Sequence, residues 1–389
     1  MTRPLTLMLV CGEPSGDALG AELMAALKSL TGGTVKIVGI GGEAMAREGL
    51  DSLFDLSATS LVGLQEVVPK IPEVLRRVHR AAAYAVEQRP DAVVLIDSPD
   101  FTHRVARRIK KLAPAIPTIN YVAPQVWATR PGRAKKMAQY FDLVLALLPF
   151  EPPFFAGYGL KAVFVGHPAL ERGKRMTGGD AFRSRHNIPA EAPLLAVLPG
   201  SRGIEVRHLL PVFAATMALL KTQVPGLHTV IPAVPHVAER IRQGTGNWPV
   251  PLTIVSGDAE KFAAFDAADS ALAASGTVTT ELALSHTPMI VAYKVGKLTA
   301  AIYRRLIGVR VKYYTLLNLI LDRLAVPEYM QEDCRPELLA AALTSLLTNP
   351  AAAARQVSEQ NEALRLMGEG ADEPSRRAAK AILEFLGRA

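Results

Sequence analysis

Residues Leu194–Phe213 read LLAVLPGSRGIEVRHLLPVF. The apolar run Leu194 to Leu198 has the length of a buried strand, Pro199 and Gly200 stop it, and Ser201, Arg202 and Gly203 make a tight turn. From Glu205 onward, Val206, Leu209, Leu210 and Phe213 recur at helical spacing. Strand, glycine loop and helix N-terminus together form the building block of a parallel α/β sheet. Such a loop is expected to present free backbone N–H groups and the positive end of a helix dipole, which suits a phosphate or diphosphate. Arg202 adds a permanent cation whose fork of donors fits phosphate oxygens. The competing reading is an ordinary βα turn.

The same unit recurs on either side. Leu5–Val10 is an apolar run followed by a turn through Gly12–Gly16, with a helix expected from about Asp17. Lys36–Ile40 is the next strand, ending in Gly41 and Gly42. Two such beginnings in close succession predict a doubly wound parallel sheet, in which ligands sit at the carboxyl ends of the strands. Ser15, Gly16 and Asp17 therefore make a candidate site loop, with helix capping as the alternative role for Asp17. In DAVVLIDSPDF, residues 91–101, Ala92–Ile96 reads as a central strand and Asp97 sits where it emerges. A carboxylate there can take a proton from a hydroxyl; capping of the following helix is the other role open to Asp97 and Asp100. Pro117–Val122, Leu143–Leu147 and Ala162–Val165 complete the strands of this half, and Trp127, Arg130 and Arg133 lie in a loop expected to border the same end. Beyond the opening stretch, His228–Pro232, Leu252–Val255, Ala271–Ala274 and Met289–Tyr293 are strands. Ser275, Gly276 and Thr277 form a second phosphate-type loop, and Glu281, one turn into its helix, could bond ribose hydroxyls or compensate the helix dipole.

A chain of 389 residues suits two domains. The expected division is an N-terminal domain over 1–170, a connection over 171–192, a second domain over 193–350 and C-terminal helices over 351–389. Hydrophobic residues make up 49% and charged residues 21%, which excludes a disordered chain. No run of about 18 uncharged apolar residues occurs, and the N-terminus has no long apolar core, so the expected location is cytoplasmic. Cys11 and Cys334 have no Cys or His at ligand spacing, which argues against a structural zinc site. The net charge of +8 favours an anionic partner. No basic run is interleaved with aromatics, which disfavours nucleic acid. Ser60–Arg77 combines apolar Val62, Leu64, Val67, Val68 and Ile71 with Lys70, Arg76 and Arg77. Pro69 and Pro72 should kink or break a helix there. This segment reads either as core or as an interfacial element that dips among lipid headgroups.

Ten short stretches carry a resemblance: CGEPSGD at 11–17, GIGGEAM at 39–45, LVGLQEV at 61–67, IDSPDF at 96–101, YVAPQVWA at 121–128, LPFE at 148–151, VGHP at 165–168, LPGSR at 198–202, ASGTVTTE at 274–281 and PEYMQEDC at 327–334. In this order, over nearly the whole chain, the sequence resembles the lipid-A-disaccharide synthase family. The resemblance implies a GT-B fold: two Rossmann-like α/β domains facing across a cleft, with C-terminal helices packing back on the N-terminal domain. It implies an inverting glycosyltransferase that joins UDP-2,3-diacylglucosamine to 2,3-diacylglucosamine 1-phosphate (lipid X), releases UDP, and needs no metal or other cofactor. It also implies peripheral association with the inner face of the inner membrane. Some members exchange C-terminal segments between two subunits, so a homodimer falls within expectation. By position, the resemblance makes Asp97 the general base and Arg202 a diphosphate ligand. It also sets Asn318 near the donor. Together with the loop and segment readings above, Gly200, Ser201, Ser275, Gly276, Thr277, Glu281, Asn318, Glu328 and Gln331 are expected at the UDP-sugar, Ser15, Gly16, Asp17, Asp100 and Trp127 on the acceptor side, and Val62, Leu64, Val67, Val68 and Ile71 in a membrane patch. Leu317 stands where the family usually has proline, and Thr129 where it often has tryptophan. A UDP-sugar 2-epimerase on the same fold is the alternative, and a non-catalytic lipid carrier the third; the apolar segment at 61–77 speaks against the first and Asp97 against the second.

Overall fold

The computed structural model describes residues 4–55, 64–129, 131–296 and 312–388. They form two compact units, Met1–Pro168 with Gly370–Ala389, and Ala169–Glu369.

The first unit holds strands β1 (Thr6–Cys11), β2 (Lys36–Ile40), β3 (Ala92–Ile96), β4 (Thr118–Tyr121), β5 (Leu143–Ala146) and β6 (Ala162–Phe164). All pair in parallel in the order β2-β1-β3-β4-β5-β6. Every residue of β3 is buried, as a continuous apolar run with helices on both faces requires. The helices are α1 (Pro14–Leu30), α2 (Glu43–Arg47), α3 (Leu64–Gln88), α4 (Pro99–Leu112), α5 (Val126–Thr129), α6 (Gly132–Met137) and α7 (Glu151–Ala156). Helix α1 begins at Pro14 rather than near Asp17, because proline fits the first helical position, where no amide is needed.

Pro69 and Pro72 do not break α3, which runs through both. Each proline removes a single amide, and the rest of the helix is anchored in the core by Val78, Ala81, Ala82 and Ala85.

The second unit begins with a 3₁₀ stretch, Pro168–Arg175, and α8 (Gly179–Arg185). Its sheet contains β7 (Leu194–Leu198), β8 (His228–Pro232), β9 (Leu252–Val255), β10 (Ser270–Ala274), β11 (Met289–Tyr293) and β12 (Glu328–Met330). These are parallel in the order β12-β11-β10-β7-β8-β9. Its helices are α9 (Gly203–Gln223), α10 (Pro235–Thr245), α11 (Asp258–Ala267), α12 (Val278–Leu284), α13 (Leu316–Leu321), α14 (Pro336–Thr348) and α15 (Pro350–Leu366). Among the described residues only α9 is long and apolar enough to cross a membrane. It is a core helix here, with Val206, Leu209, Phe213, Met217 and Leu220 buried.

Residues 171–192, expected as a connection, belong to this second unit. Met176, Phe182 and Ile188 are buried in its core, and Gly179 lies so close to the Asp266 backbone that a Cβ would sit 2.8 Å from it. Arg183 clamps the segment by donating to Ala267 O and Asp269 Oδ2. The C-terminal helices divide. Helix α15 stays with the second unit, its Gln356 side chain bonded in both directions to the Met289 backbone of β11. Only α16 (Pro374–Phe385) returns to the first unit, where Ala378, Ala379 and Ile382 enter the core.

Each sheet has one place where the winding reverses: between β1 and β3 in the first, between β7 and β10 in the second. Crevices for ligands open beyond the carboxyl ends of strands at such points.

Candidate active site

At the first switch point, Asp97 and Ser98 are consecutive left-handed residues, with φ of 52° and 43°. Neither is glycine, so the turn is strained, and strain of this kind collects at functional sites. Neighbouring groups hold it. The Asp97 amide donates to Tyr121 O at 2.9 Å, and the Thr102 hydroxyl donates to Asp97 O at 2.6 Å and Ser98 O at 3.0 Å. The loop after β1 lies directly against it: a Cβ on Gly12 would come within 2.8 Å of Ser98 Cβ, and one on Gly16 within 3.2 Å of Ile96 O. That closeness lets Ser15 Oγ donate to Asp97 Oδ2 at 3.0 Å. Asp97 is half-buried, and Asp100 is exposed in the first turn of α4.

Sequence reasoning passed over two residues in this cluster. Glu13, the N-cap of α1, has its carboxyl held above the ordinary range by partial desolvation first, then by the Asp97 and Asp100 carboxylates, with the Ser98 hydroxyl pulling the other way. It stands inside the CGEPSGD motif, which was the available signal. Val122, at the end of the neighbouring β4, adopts φ of 75°, a true outlier for a β-branched residue.

Asp17 plays a different part from the expected one. It is buried, and its carboxylate accepts the amides of Gly42, Ala44 and Met45 at 2.7, 2.8 and 3.1 Å. It caps α2 instead of facing a ligand. Trp127 on α5 donates its indole N–H to buried Glu151 at 3.2 Å. Of the expected membrane patch, Val62 lies outside the described residues, as do the side chains of Leu64, Val67, Val68 and Ile71. The basic residues further along α3 are committed within the protein. Arg77 and Arg80 lie over the Phe54 ring at 5.0 and 5.8 Å, and Arg76 and Arg77 both pair with Glu73.

At the second switch point, the glycine turn after β7 does not offer the free amides expected of it. Glu205 folds back, and its Oε2 accepts from Ser201 N at 3.1 Å and Arg202 N at 3.2 Å. A carboxylate thus fills the place where an external anion was expected, and its Oε1 takes a bond from the Arg202 guanidinium at 3.2 Å. Gly200, at φ of 106°, leaves no room for a Cβ against that carboxylate. The Arg202 side chain is 77% exposed. From α10, His236 Nε2 lies 2.7 Å from Ser201 O and Arg240 donates to Gly203 O at 2.8 Å. Both add basic groups that sequence reasoning did not single out.

After β10, Ser275 donates to Tyr314 O at 3.3 Å, Gly276 faces open space, and Thr277 caps α12. Glu281 is buried and pairs with Lys261 at 3.2 Å. Asn318, fully buried, and half-buried Glu328, both expected beside the donor, instead form a brace. Asn318 Nδ2 donates to Val326 O and Glu328 Oε1, while its Oδ1 accepts the amides of Ala325 and Val326. Glu328 also takes the amides of Tyr314 and Thr315. These bonds use the full hydrogen-bonding capacity of the asparagine, so it shapes the loop rather than touching a ligand. Leu317, in the place of the family proline, is fully buried. Gln331, left-handed at φ of 51°, closes the end of β12 against Tyr293 O.

The chain matches the family model for lipid-A-disaccharide synthetase over residues 7–382. It is 48% identical over 384 residues to the lipid-A-disaccharide synthase of Rhodospirillum centenum, covering 99% of this chain and 95% of that one. Among solved structures, a UDP-GlcNAc 2-epimerase from Neisseria meningitidis superposes with a TM-score of 0.61 at 13% identity, covering 99% of this chain and 100% of the other. A glycotransferase of kitacinnamycin does so with a TM-score of 0.63 at 17% identity and 99% coverage of both. An epimerase and a transferase therefore share this pair of doubly wound sheets, the GT-B architecture, and the fold does not choose between them. The sequence match, continuous across both units, does: the chain belongs to the lipid-A-disaccharide synthase family.

Proposed function

We propose that this hexosyltransferase condenses UDP-2,3-diacylglucosamine with 2,3-diacylglucosamine 1-phosphate by a single inverting displacement, with Asp97 as the base and Arg202 as the principal stabiliser of the leaving UDP. The acceptor hydroxyl gives its proton to the Asp97 carboxylate while its oxygen attacks the anomeric carbon. The bond from that carbon to the diphosphate breaks with its electron pair, and the Arg202 guanidinium meets the growing negative charge. Ser275 and the open approach at Gly276 serve the same nucleotide.

The observation that carries this reading is Asp97 itself. A strained turn at the switch point carries its half-buried carboxylate, Ser15 donates to one oxygen, and the other has no protein donor among the described residues. That is how a base awaiting a substrate hydroxyl should stand. The acyl chains of both substrates and the excess of positive charge support work at the inner surface of a membrane, with the chain held there peripherally. Purified protein given both substrates should yield the disaccharide and UDP in equal amounts, and Asp97→Asn should suppress both while leaving UDP binding intact. Normal turnover by that variant would remove Asp97 from the role.

A further inference from the structure

The strand β5 runs into Leu148–Glu151, LPFE, and Glu151 opens α7 with only 1% of its surface exposed. Three N–H groups converge on its carboxylate. Leu147 N and Leu148 N each donate to Oε2 at 3.0 Å, and Trp127 Nε1 donates to Oε1 at 3.2 Å. Trp127 sits on α5, a helix of four residues, too short to hold its own geometry. Its ring also packs edge-to-face on Phe150 at 5.0 Å, from the same loop as Glu151. The indole N–H is a donor only, and so are both amides. An anionic carboxylate satisfies all three. A carboxylic acid would place its own O–H among donors and accept more weakly at the protonated oxygen, so at least one of the three bonds weakens.

We propose that Glu151 is a positioning residue for the acceptor-side loop 121–129, and that its carboxylate anion is what holds Trp127 in place. This rests on the reading of Trp127 as part of the acceptor side. Burial raises the Glu151 carboxyl to about 7, against the opposing pull of Leu148 N, the Trp127 indole and Leu147 N. No charged side chain among the described residues contributes to that shift. The bond to Trp127 is therefore stronger above neutral pH than below it, and the loop tightens as the pH rises.

Trp127 and Trp248 are the two tryptophans of the chain. Trp248→Phe isolates Trp127 as the fluorophore and removes no hydrogen bond seen in the structure, since the Trp248 indole nitrogen has no partner among the described residues. In that background the emission of Trp127 should follow one titration with a midpoint of about 7. Adding Glu151→Gln should flatten it. Emission that stays constant with pH in the Trp248→Phe protein overturns the proposal, and this holds even if Glu151→Gln fails to fold. An unchanged transition in folded Glu151→Gln overturns it as well. The kinetic arm is the KM for the acceptor, which should fall as pH rises through the same midpoint. In Glu151→Gln it should be raised about three- to tenfold, the worth of one hydrogen bond, and should lose that pH dependence, with kcat little changed. If the emission titrates as expected while KM ignores both pH and Glu151→Gln, the acceptor-side reading of Trp127 is overturned and the Glu151–Trp127 hold stands.

Discussion

The two switch points occupy the same place on two sheets of the same design, yet they are furnished in opposite ways. The first is lined by acid: Glu13, Asp97 and Asp100 gather at the ends of β1 and β3. The second is lined by base: Arg202, His236 and Arg240 surround the turn after β7. They differ in backbone too. The first turn forces Asp97 and Ser98 into left-handed geometry without glycine, while the second gives that geometry to Gly200 and fills its amides with Glu205. The strained turn carries a half-buried carboxylate; the relaxed turn carries a cation that stands mostly in solvent. A shared scaffold fixes where a site stands, and the loop residues decide what it does.

The largest test of this contrast is Asp97→Asn. The amide keeps the shape and can still accept from Ser15, but it takes no proton, so kcat should fall about 10²–10⁴-fold. Circular dichroism and melting temperature should be nearly unchanged. A variant with normal kcat would make the first turn a mere helix start, and Asp100 would become the residue to examine.

Next is Arg202→Ala, which should lower kcat about 10²–10³-fold by withdrawing charge from the departing diphosphate. If cation and loop do the work of a metal, magnesium should not rescue the variant and EDTA should not slow the native protein. Activity lost to EDTA would break the contrast, because the second crevice would then need an ion to do what Arg202 is assigned.

Much of this arrangement is legible in the sequence, and the reason is physical. Strands buried on both faces must be apolar throughout, so Ala92–Ile96 and Leu194–Leu198 stand out with their observed ends. Loop positions follow, because glycine and proline stop the strands. The partner of a polar side chain does not follow. Asp17, Asn318 and Glu328 are site candidates by position and Glu205 stands beside Arg202, but each spends its oxygens on backbone amides of its own unit. A residue that binds a ligand and one that braces the loop beside it occupy neighbouring positions and have the same chemistry. Their partners can be distant, as Ala44 is from Asp17, so only the folded chain separates the two roles. The prolines of α3 mislead for a related reason: local propensity disfavours the helix there, and tertiary packing of its later turns overrides it.

A third test concerns pH. Helix α4 starts at the strained turn and carries buried His103, packed edge-on against Tyr140 and Phe141. Burial first, then Arg107 and Arg133, depress its imidazole from 6.5 to about 4. The unfolded chain thus binds a proton that the folded chain refuses. His103 contributes its full stability above about 6.5, and that contribution is lost as pH falls toward about 4, amounting to up to about 3 kcal/mol. Thermal melts of the native protein should show this loss on acidification, and His103→Phe, which cannot be protonated, should flatten it. An unaltered acid profile in the variant would move the sensitivity elsewhere.

The smallest effect expected is that of Glu205→Ala, and it tests the relaxed half of the comparison. Glu205 is nearly buried and caps the start of α9 through the amides of Ser201 and Arg202. Loss of such a cap costs about 1 kcal/mol, equivalent to a drop of about 2–4 °C in a unit of this size. The turn keeps Gly200 and the supports from His236 and Arg240, so it should survive in looser form. Two consequences for the nucleotide are distinguishable by melting with and without UDP. If the carboxylate preorganises the turn and aims Arg202, the rise in melting temperature given by UDP should be smaller in the variant than in the native protein. If the carboxylate instead occupies the place the diphosphate needs, UDP should protect the variant more strongly, since a competitor has gone. We expect the first, because Oε1 of Glu205 is bonded to the guanidinium proposed to meet the diphosphate, and removing it frees that side chain to wander. Stronger protection would turn the contrast around: the second crevice would then be held closed by its own acid until the nucleotide arrives.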